Sequence, residues 1–192
     1  MPEVRAFTAN VRSAGEDEEK RVAGRGIVYD EWTELWPGYK ERIRKGAVQM
    51  ADNVKSYFNH DPGRVLSTLE SDPALKLKES DDGLEYDSPI PPTSYGKDLE
   101  VNLERGNVKG SSFSFDIPTD GDSWREDENG VVWRDIKKLT LYEIGPVTDP
   151  AYVQTTAQAR SKEAVHEWRK QQKPVNRLLR ERKQKLVKSM LD

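Results

Sequence analysis

The sequence predicts an α+β fold that is mainly β, namely a small closed or partly closed barrel flanked by helices and followed by a helical C-terminal tail. Three observations support this prediction. Residues 1–159 contain many short strand-like runs separated by Gly, Pro and Asp. One helix is marked within that region by its apolar spacing and its end signals. Residues 160–192 carry apolar residues at helical spacing among lysines and arginines.

The predicted strands follow one another at short intervals. Alternating or compact apolar runs between turn signals predict strands over residues 4–11, 26–29, 54–58, 65–69, 75–77, 84–87, 110–117 and 131–144. Residues 32–39 are predicted to form a loop because they contain Pro37 and Gly38. Residues 46–50 are predicted to open a short helix.

The one well-marked helix of this region is predicted over residues 95–105. Two prolines and Thr93 supply the start signal and the N-cap, and a glycine follows at residue 106. Apolar residues recur there at four-residue intervals, at Tyr95, Leu99 and Leu103. The spacing predicts one buried helix face.

The C-terminal tail differs from the body in charge. Residues 160–192 hold 11 basic and 4 acidic residues, whereas residues 1–159 hold 20 basic and 30 acidic residues. Pro174 separates a predicted helix over residues 161–173 from an amphipathic helix whose apolar residues are Val175, Leu178, Leu179, Leu186, Val187, Met190 and Leu191. An acidic body with a basic tail favours self-association or docking of the tail to an acidic partner, and a tail helix folded back onto the body is the alternative.

The composition excludes several kinds of site. The chain has no cysteine, so it has no disulfide, thiolate nucleophile or thiolate metal site. The two histidines, His60 and His166, are far apart in sequence and do not form a zinc motif. No metal and no cofactor is therefore expected. The N-terminus lacks a secretory apolar stretch and no run is long enough to span a bilayer, so we expect a soluble, intracellular protein without membrane contact.

His60 is the more informative histidine. It lies in the run YFNHDPG at residues 57–63, after a short apolar stretch and before an Asp-Pro-Gly turn signal. This places it where a strand meets a loop, a common location for catalytic side chains. A polar turn that ends a strand would look the same.

Two further segments carry candidate chemistry. In GSSFSF, at residues 110–115, Phe113 and Phe115 would face one side of a strand while Ser112 and Ser114 face the other. A serine needs a nearby base to act as a nucleophile, and His60 is available. Glu143 ends a mostly apolar run, where it can orient an imidazole or simply be a solvated strand end.

These three segments, in this order, resemble the prohead proteases of tailed bacteriophages, capsid-maturation serine proteases related in fold to the herpesvirus assemblins. The resemblance covers residues 4–157. It implies a protease domain over residues 1–159 with Ser112 as nucleophile, His60 as base and Glu143 as the third triad member. Residues 160–192 would then be a docking or autoprocessed tail. Asp61, Asp116 and His166 are the next candidates for the third member.

Four positions depart from the family pattern. The family usually has Met at Ser111, Gly at Ser114, Gly at Ser67 and Ser at Gly145. Three serines within four positions leave the choice of nucleophile open between Ser112 and its neighbours, and the other changes affect loop shape. The residues do not identify the donors of the oxyanion hole, for which backbone N–H groups or an arginine can serve.

The resemblance also implies substrates and a location. The expected partners are the major capsid protein, a scaffolding protein or both, with the enzyme also cutting itself inside the immature prohead in the host cytoplasm. The charge asymmetry also allows a homo-oligomer. A non-catalytic capsid assembly or scaffolding protein on the same fold is the alternative. Nucleic-acid binding is not expected, because the acidic body repels phosphates and no basic surface interleaved with aromatic residues is evident in the sequence.

Overall fold

The protein was analysed as a computed structural model that describes residues 2–14, 20–150 and 158–172. The chain divides into two compact units, residues 1–157 and residues 158–192. The elements of the first unit are β1 (Glu3–Thr8), β2 (Arg12–Ala14), β3 (Arg21–Val28), β4 (Thr33–Trp36), β5 (Tyr39–Ile43), β6 (Val48–Tyr57), β7 (Val65–Thr68), β8 (Lys76–Glu79), β9 (Gly83–Pro89), α1 (Ser94–Glu104), β10 (Gly110–Asp116), β11 (Asp122–Glu126), β12 (Val132–Ile136) and β13 (Leu139–Val147). The second unit contains a helix, α2, over residues 158–172.

The described strands form three sheets. The first sheet has five strands in the order β1-β10-β13-β6-β7, the second has the order β11-β12-β5-β4, and the third has the order β2-β3-β9-β8. Neighbouring strands are antiparallel except for β13 with β6 and β12 with β5, which are parallel. The first sheet positions the candidate site, because the segments that contain His60, Ser112 and Glu143 all belong to it or leave from it.

Two apolar clusters hold the first unit together. The larger one packs Phe113, Phe115 and Ile144 of the first sheet against Ile27 and Tyr86 of the third sheet. The smaller one collects Val22, Phe58, Leu66, Ile90, Leu99 and Val108. Phe58 follows β6 directly, so the smaller cluster fixes the point from which the His60 loop leaves the sheet.

Helix α1 forms as its end signals predict. The Thr93 hydroxyl accepts a hydrogen bond from the Gly96 N–H at 3.2 Å, which satisfies one of the free donors of the first turn. Leu99 is fully buried in the smaller cluster. Gly106 then takes a φ of +69°, a left-handed conformation that suits glycine after a helix end.

The prediction of a mainly β fold with helices, one of them C-terminal, is confirmed. The closed or partly closed barrel stays a prediction.

Three local predictions are wrong. Residues 46–50 do not open a helix, since β6 begins at Val48 and pairs with β13. Residues 33–36 form β4, and only Pro37 and Gly38 make the turn to β5. The single strand predicted over residues 131–144 is two strands, β12 and β13.

The second sheet carries cation–π contacts that the sequence did not indicate. The Arg42 guanidinium lies 4.3 Å from the Trp32 ring centroid, and Lys40 and Arg125 lie 4.9 and 4.5 Å from that of Trp133. Trp32 and Trp133 meet edge to face at 4.9 Å. Such contacts stabilise neighbouring strands of a partly exposed sheet.

Helix α2 agrees with the helix predicted over residues 161–173. The amphipathic helix predicted beyond Pro174 lies outside the described residues, so the docking role of the tail and the domain boundary at residue 159 stay predictions. In the described ranges, no helix is long and apolar enough to span a membrane.

Candidate active site

Ser112 lies in the middle of β10, between β1 and β13. Antiparallel partners that stand directly opposite share a face of the sheet, and Ser112 stands opposite Ala6 and Gly145. Its neighbours Phe113 and Phe115 point the other way into the larger apolar cluster, with ring centroids 5.3 Å apart. The aromatic pair therefore anchors the strand, and the Ser112 hydroxyl is left on the opposite face.

His60 sits in the tight loop between β6 and β7. Asn59 and His60 both have a φ of +57°, a left-handed conformation that few non-glycine residues adopt. The loop closes through the Asp61 N–H to the Phe58 carbonyl at 3.2 Å and the Arg64 N–H to the Asp61 carbonyl at 2.8 Å. The turn directs the imidazole back over the sheet, with a fifth of the side chain exposed (20%).

Glu143 reaches the same face of the sheet because of a β-bulge. In a regular strand Leu141 and Glu143 would point the same way. The register between β10 and β13 shifts, however, so that Leu141 stands opposite Phe115 and Glu143 stands opposite Ser114, with Tyr142 as the extra residue. Leu141 thereby stays in the core while the Glu143 carboxylate turns to the face that bears Ser112.

The three side chains form one chain of hydrogen bonds. The His60 Nδ1–H donates to Glu143 Oε2 at 2.6 Å, and His60 Nε2 is in hydrogen-bond contact with Ser112 Oγ. The Glu143 side chain is 8% exposed, and Ser112 is fully buried. A serine, an imidazole and a buried carboxylate in this order match the arrangement in which a base removes the proton of a nucleophile and a carboxylate stabilises the resulting cation.

The Ser112 hydroxyl has a second acceptor, the main-chain carbonyl oxygen of Arg5, at 2.7 Å. The hydroxyl carries one hydrogen and can donate to only one of the two. When it donates to His60 Nε2, the imidazole is neutral and can act as a base. When it donates to Arg5, the hydroxyl proton is held away from His60 Nε2. The β1 backbone thus competes with the base for the proton of the nucleophile.

The side chain of Arg5 belongs to a second buried polar cluster, which we call the arginine cluster and which consists of Glu3, Arg5, Tyr39, Glu41, Asp122 and Arg134. Arg5 is paired with Glu41 through Nε and, at 2.9 Å, through Nη2. Arg134 binds both Glu3 oxygens at 2.8 and 2.9 Å and Asp122 at 2.6 Å. These bonds join β1 to β5, β11 and β12.

The arginine cluster perturbs its own titratable groups strongly. Burial alone would raise the pKa of Glu3, but hydrogen bonds and charge from Arg134 and Arg5 lower it to about 2. Burial alone would lower the pKa of Arg5, and the Glu41 carboxylate instead raises it above the ordinary value. Burial first and Glu41 second raise the pKa of the Tyr39 hydroxyl. The charges of Glu3 and Arg5 are therefore fixed near neutral pH.

The structure brings together the three predicted residues and gives the other candidates different partners. The Asp61 carboxylate accepts from the Gly63 N–H at 2.8 Å and pairs with Arg64 at 3.2 Å. Asp116 is hydrogen-bonded to Tyr142, and His166 lies on α2. Ser111 is fully buried, with its hydroxyl 3.2 Å from the Tyr86 hydroxyl.

Sequence reasoning missed two contributors, the Arg5 carbonyl and Asn59. The Asn59 side chain accepts from the Thr148 N–H at 2.9 Å, and its own N–H donates to the Pro146 carbonyl at 3.0 Å. An asparagine beside a candidate histidine was a usable signal, because its side chain often binds nearby backbone. No sequence signal marks a main-chain carbonyl.

A cavity of about 1100 Å³ lies beside β1, with Arg5, Phe7, Tyr86 and Phe113 in its wall. Phe113 and Arg5 stand on the face of the first sheet opposite to Ser112, and none of the three triad candidates is among the described residues that line it. Over the described ranges, no group of three or more His, Asp or Glu residues is placed to hold a metal ion.

Comparison with known proteins adds a family. A family model described as Caudovirus prohead serine protease matches residues 7–170. No curated protein matches the chain. Among solved structures, the chain is similar to the capsid assembly protease gp21 of bacteriophage T4, with 10% sequence identity and a TM-score of 0.48 over 78% of this chain and 99% of that chain. The family match includes the segments that contain His60, Ser112 and Glu143 and continues beyond residue 159.

Proposed function

Because the chain belongs to the Caudovirus prohead serine protease family, we propose that it is the endopeptidase that cleaves scaffolding protein, or the scaffolding segment of the major capsid protein, inside the immature prohead. The enzyme also cleaves itself. One observation carries the assignment of residues: a continuous hydrogen-bonded chain from Glu143 through His60 to Ser112, formed by residues from three separate segments. Chance contacts rarely arrange a serine, an imidazole and a buried carboxylate in that order.

The proposed reaction begins at Ser112. Its Oγ attacks the carbonyl carbon of the substrate peptide bond while His60 Nε2 takes the hydroxyl proton. The Glu143 carboxylate holds the Nδ1–H and stabilises the imidazolium. His60 then gives the proton to the leaving amine, which breaks the peptide C–N bond and leaves an acyl ester on Ser112. Water, deprotonated by His60, hydrolyses the ester and restores the hydroxyl.

The hydrogen bond from Ser112 to the Arg5 carbonyl would keep the resting site inactive. While the Ser112 hydroxyl donates to the Arg5 carbonyl, the proton does not point at the base. A shift of β1 away from β10 removes this competition. Binding of a substrate segment near β1 is one event that would cause such a shift.

Two experiments test the proposal. A fluorophosphonate probe labels only an activated serine, so we expect labelling at Ser112 in the wild-type protein and none in Ser112→Ala. Co-expression with the major capsid or scaffolding protein of the same phage genome, followed by mass measurement, should show a truncated capsid or scaffolding product. An unlabelled, folded protein that leaves the capsid protein intact would favour a non-catalytic scaffolding role on the same fold.

The tail has its own test. Residues 160–192 carry a surplus of basic charge, which suits an acidic partner during shell assembly. We expect a truncation that ends near Gln158 to fold, to keep Ser112 reactive and to enter assembling shells poorly. Counting protease copies in shells, with Ser112→Ala in both chains, measures this. Equal incorporation would remove the docking role, and an insoluble truncation would indicate a tail that completes the fold.

A further inference from the structure

We propose that Asn59 is a positioning residue for His60: it fastens the loop that carries the imidazole to the strand that carries Glu143. The inference rests on the proposed function, in which His60 is the base. Asn59 does not touch the reacting atoms. It acts by fixing where the imidazole sits.

The backbone conformation of this loop must be stabilised by contacts with residues outside the loop. Asn59 and His60 are consecutive residues with a φ of +57°. Asn and His tolerate the left-handed region better than most residues, yet single residues rather than pairs usually adopt it. Conformations of this kind persist when the surrounding structure determines them. The hydrogen bonds of Asn59 stabilise the conformation of the loop.

Three hydrogen bonds join Asn59 to the end of β13. The Asn59 N–H donates to the Pro146 carbonyl at 3.0 Å. The Asn59 Oδ1 accepts from the Thr148 N–H at 2.9 Å and from the Thr148 hydroxyl at 3.3 Å. Pro146 lies on the same strand as Glu143 and Thr148 comes directly after that strand, so the loop is held at Asn59 just beyond the place where His60 must meet Glu143.

This arrangement makes the His60–Glu143 contact depend on Asn59. The 2.6 Å bond between Nδ1 and Oε2 orients the ring so that Nε2 faces Ser112. A loop released from Thr148 can rotate about its left-handed residues and carry the ring away from both partners. A displacement of about 1 Å in a catalytic group can lower a rate by about a hundredfold.

Two substitutions separate the contribution of the Asn59 side chain from that of its backbone. Asn59→Gly accepts the left-handed φ and keeps the N–H to Pro146, but it removes the acceptor for Thr148. Asn59→Asp keeps an acceptor oxygen of the same reach. Asn129→Gly, at an exposed loop asparagine, is the matched control.

The rate of fluorophosphonate labelling at Ser112 is the first readout. We expect Asn59→Gly to label about tenfold to a hundredfold more slowly than wild type, and Asn59→Asp to stay within about threefold, since the hydrogen bond is kept. Asn129→Gly should label like wild type. A wild-type rate for Asn59→Gly, or an equal loss in Asn59→Asp, would overturn the proposal.

The second readout does not depend on activity. The chain has only two histidines, so the ring N–H proton of His60 can be followed by NMR, with His166→Gln used for assignment. A proton held between Nδ1 and a carboxylate resonates far downfield. This signal should be present in wild type and Asn59→Asp and lost or broadened in Asn59→Gly. If it persists unchanged in Asn59→Gly, Asn59 does not position the ring.

The two readouts distinguish failure of this inference from failure of the proposed function. If wild type is neither labelled nor able to cleave its capsid or scaffolding substrate, while its downfield signal depends on Asn59, the positioning role holds and the protease assignment fails. Should Asn59→Gly not fold, Asn59→Ser is the second variant, because serine leaves the unfolded loop less conformational freedom than glycine does. Its shorter side chain does not span to the Thr148 N–H, and a loss of about threefold to tenfold is expected. Full labelling by a folded Asn59→Ser would contradict the proposal.

Discussion

The proposed triad and the arginine cluster both contain a buried carboxylate, but they pair it with different partners. Glu41 faces two guanidiniums, which remain protonated at any pH a protein tolerates. Glu143 faces one imidazole, a side chain that can take up and release a proton as a general base. The first arrangement fixes charge and structure, and the second contains a group suited to proton transfer.

The comparison shows what makes a buried ion pair suitable for chemistry. The arginine cluster joins β1 to β5 and to β12 with bidentate bonds, and the charges of Glu3 and Arg5 are fixed near pH 7. The triad candidates have one bond at each step, and a fifth of the His60 side chain is exposed. Arg5 belongs to both regions, because its side chain pairs with Glu41 and its carbonyl accepts from Ser112. The arginine cluster therefore sets the position of the β1 backbone that borders the proposed triad.

The largest expected effect is the loss of substrate cleavage when the proposed triad is changed. Ser112→Ala should lower substrate cleavage by at least about a thousandfold, because it removes the nucleophile. The free energy of unfolding should fall by only about 1 kcal/mol, because the substitution leaves no sizeable cavity but removes the hydroxyl that donates to the Arg5 carbonyl. His60→Ala should lose a similar factor, as members of a triad act as a unit. Cleavage assays with matched unfolding curves measure this, and substantial cleavage by folded Ser112→Ala protein would move the nucleophile elsewhere.

Glu41→Gln is the corresponding change in the arginine cluster. It should lower the free energy of unfolding by about 3–5 kcal/mol, because two buried guanidiniums lose a carboxylate partner. Labelling at Ser112, corrected for the folded fraction, should change by less than about tenfold. Chemical denaturation and probe labelling on the same samples test both. A stable but unreactive Glu41→Gln would erase the distinction between the two clusters.

Glu143→Gln should show the opposite pattern to Glu41→Gln, with a large effect on rate and a small effect on stability. The amide keeps the shape of the side chain but supplies no negative charge to an imidazolium, so the rate should fall on the order of a hundredfold. The loss should be smaller than that of Ser112→Ala, and stability should hold. If cleavage by Glu143→Gln equals wild type, the third member lies at Asp61, Asp116 or His166.

Acid should reveal the fixed charge of the arginine cluster. The pKa of Glu3 is lowered from 4.5 to about 2, so its contribution to stability is complete above pH 4.5 and is lost as the pH falls toward 2. The contribution is at most on the order of 3 kcal/mol. Glu3→Gln should be less stable than wild type at pH 6, and the difference should shrink as the pH falls below 4.5. Thermal unfolding between pH 2 and 6 measures this, and a constant difference would contradict the assigned shift.

The neighbours of Ser112 should give the smallest effects. Ser114→Ala should change neither cleavage nor stability much, because no described bond of the triad runs through its hydroxyl. Ser111→Ala should cost about 1 kcal/mol, since the Tyr86 hydroxyl loses its partner, and should leave cleavage within about twofold. A large loss of cleavage in either variant would show that the nucleophile assignment depends on more than Ser112.

Part of the site follows directly from local sequence. The alternation of serine and phenylalanine in β10 predicts which side chains face the core, and the Asp-Pro-Gly signal places His60 at a strand end. The side of the sheet on which Glu143 lies does not follow, because the extra residue Tyr142 reverses the alternation after Leu141. A bulge of this kind is set by pairing with a distant strand.

Other parts of the fold were decided by tertiary contacts. Residues 46–50 look helical locally, yet Val48 to Met50 pair with β13 in the first sheet. Tertiary pairing overrides weak propensity in such segments. Arg5 is one charged residue in an imperfectly alternating strand, and its partner Glu41 is 36 positions away. Pairings at this separation leave no mark in a single sequence, so the arginine cluster could not be predicted.

The complete burial of Ser112 has a kinetic consequence. An attacking oxygen must come within about 3–3.5 Å of a carbonyl carbon, and a residue with no exposed surface offers no path to that distance. The groups over Ser112 Oγ, among them the Arg5 main chain and the His60 ring, must separate before any substrate or probe reaches it. If Ser112 is the nucleophile, this separation gates turnover. At low probe concentration the labelling rate rises in proportion to concentration, and at high concentration it levels off at the rate of opening itself.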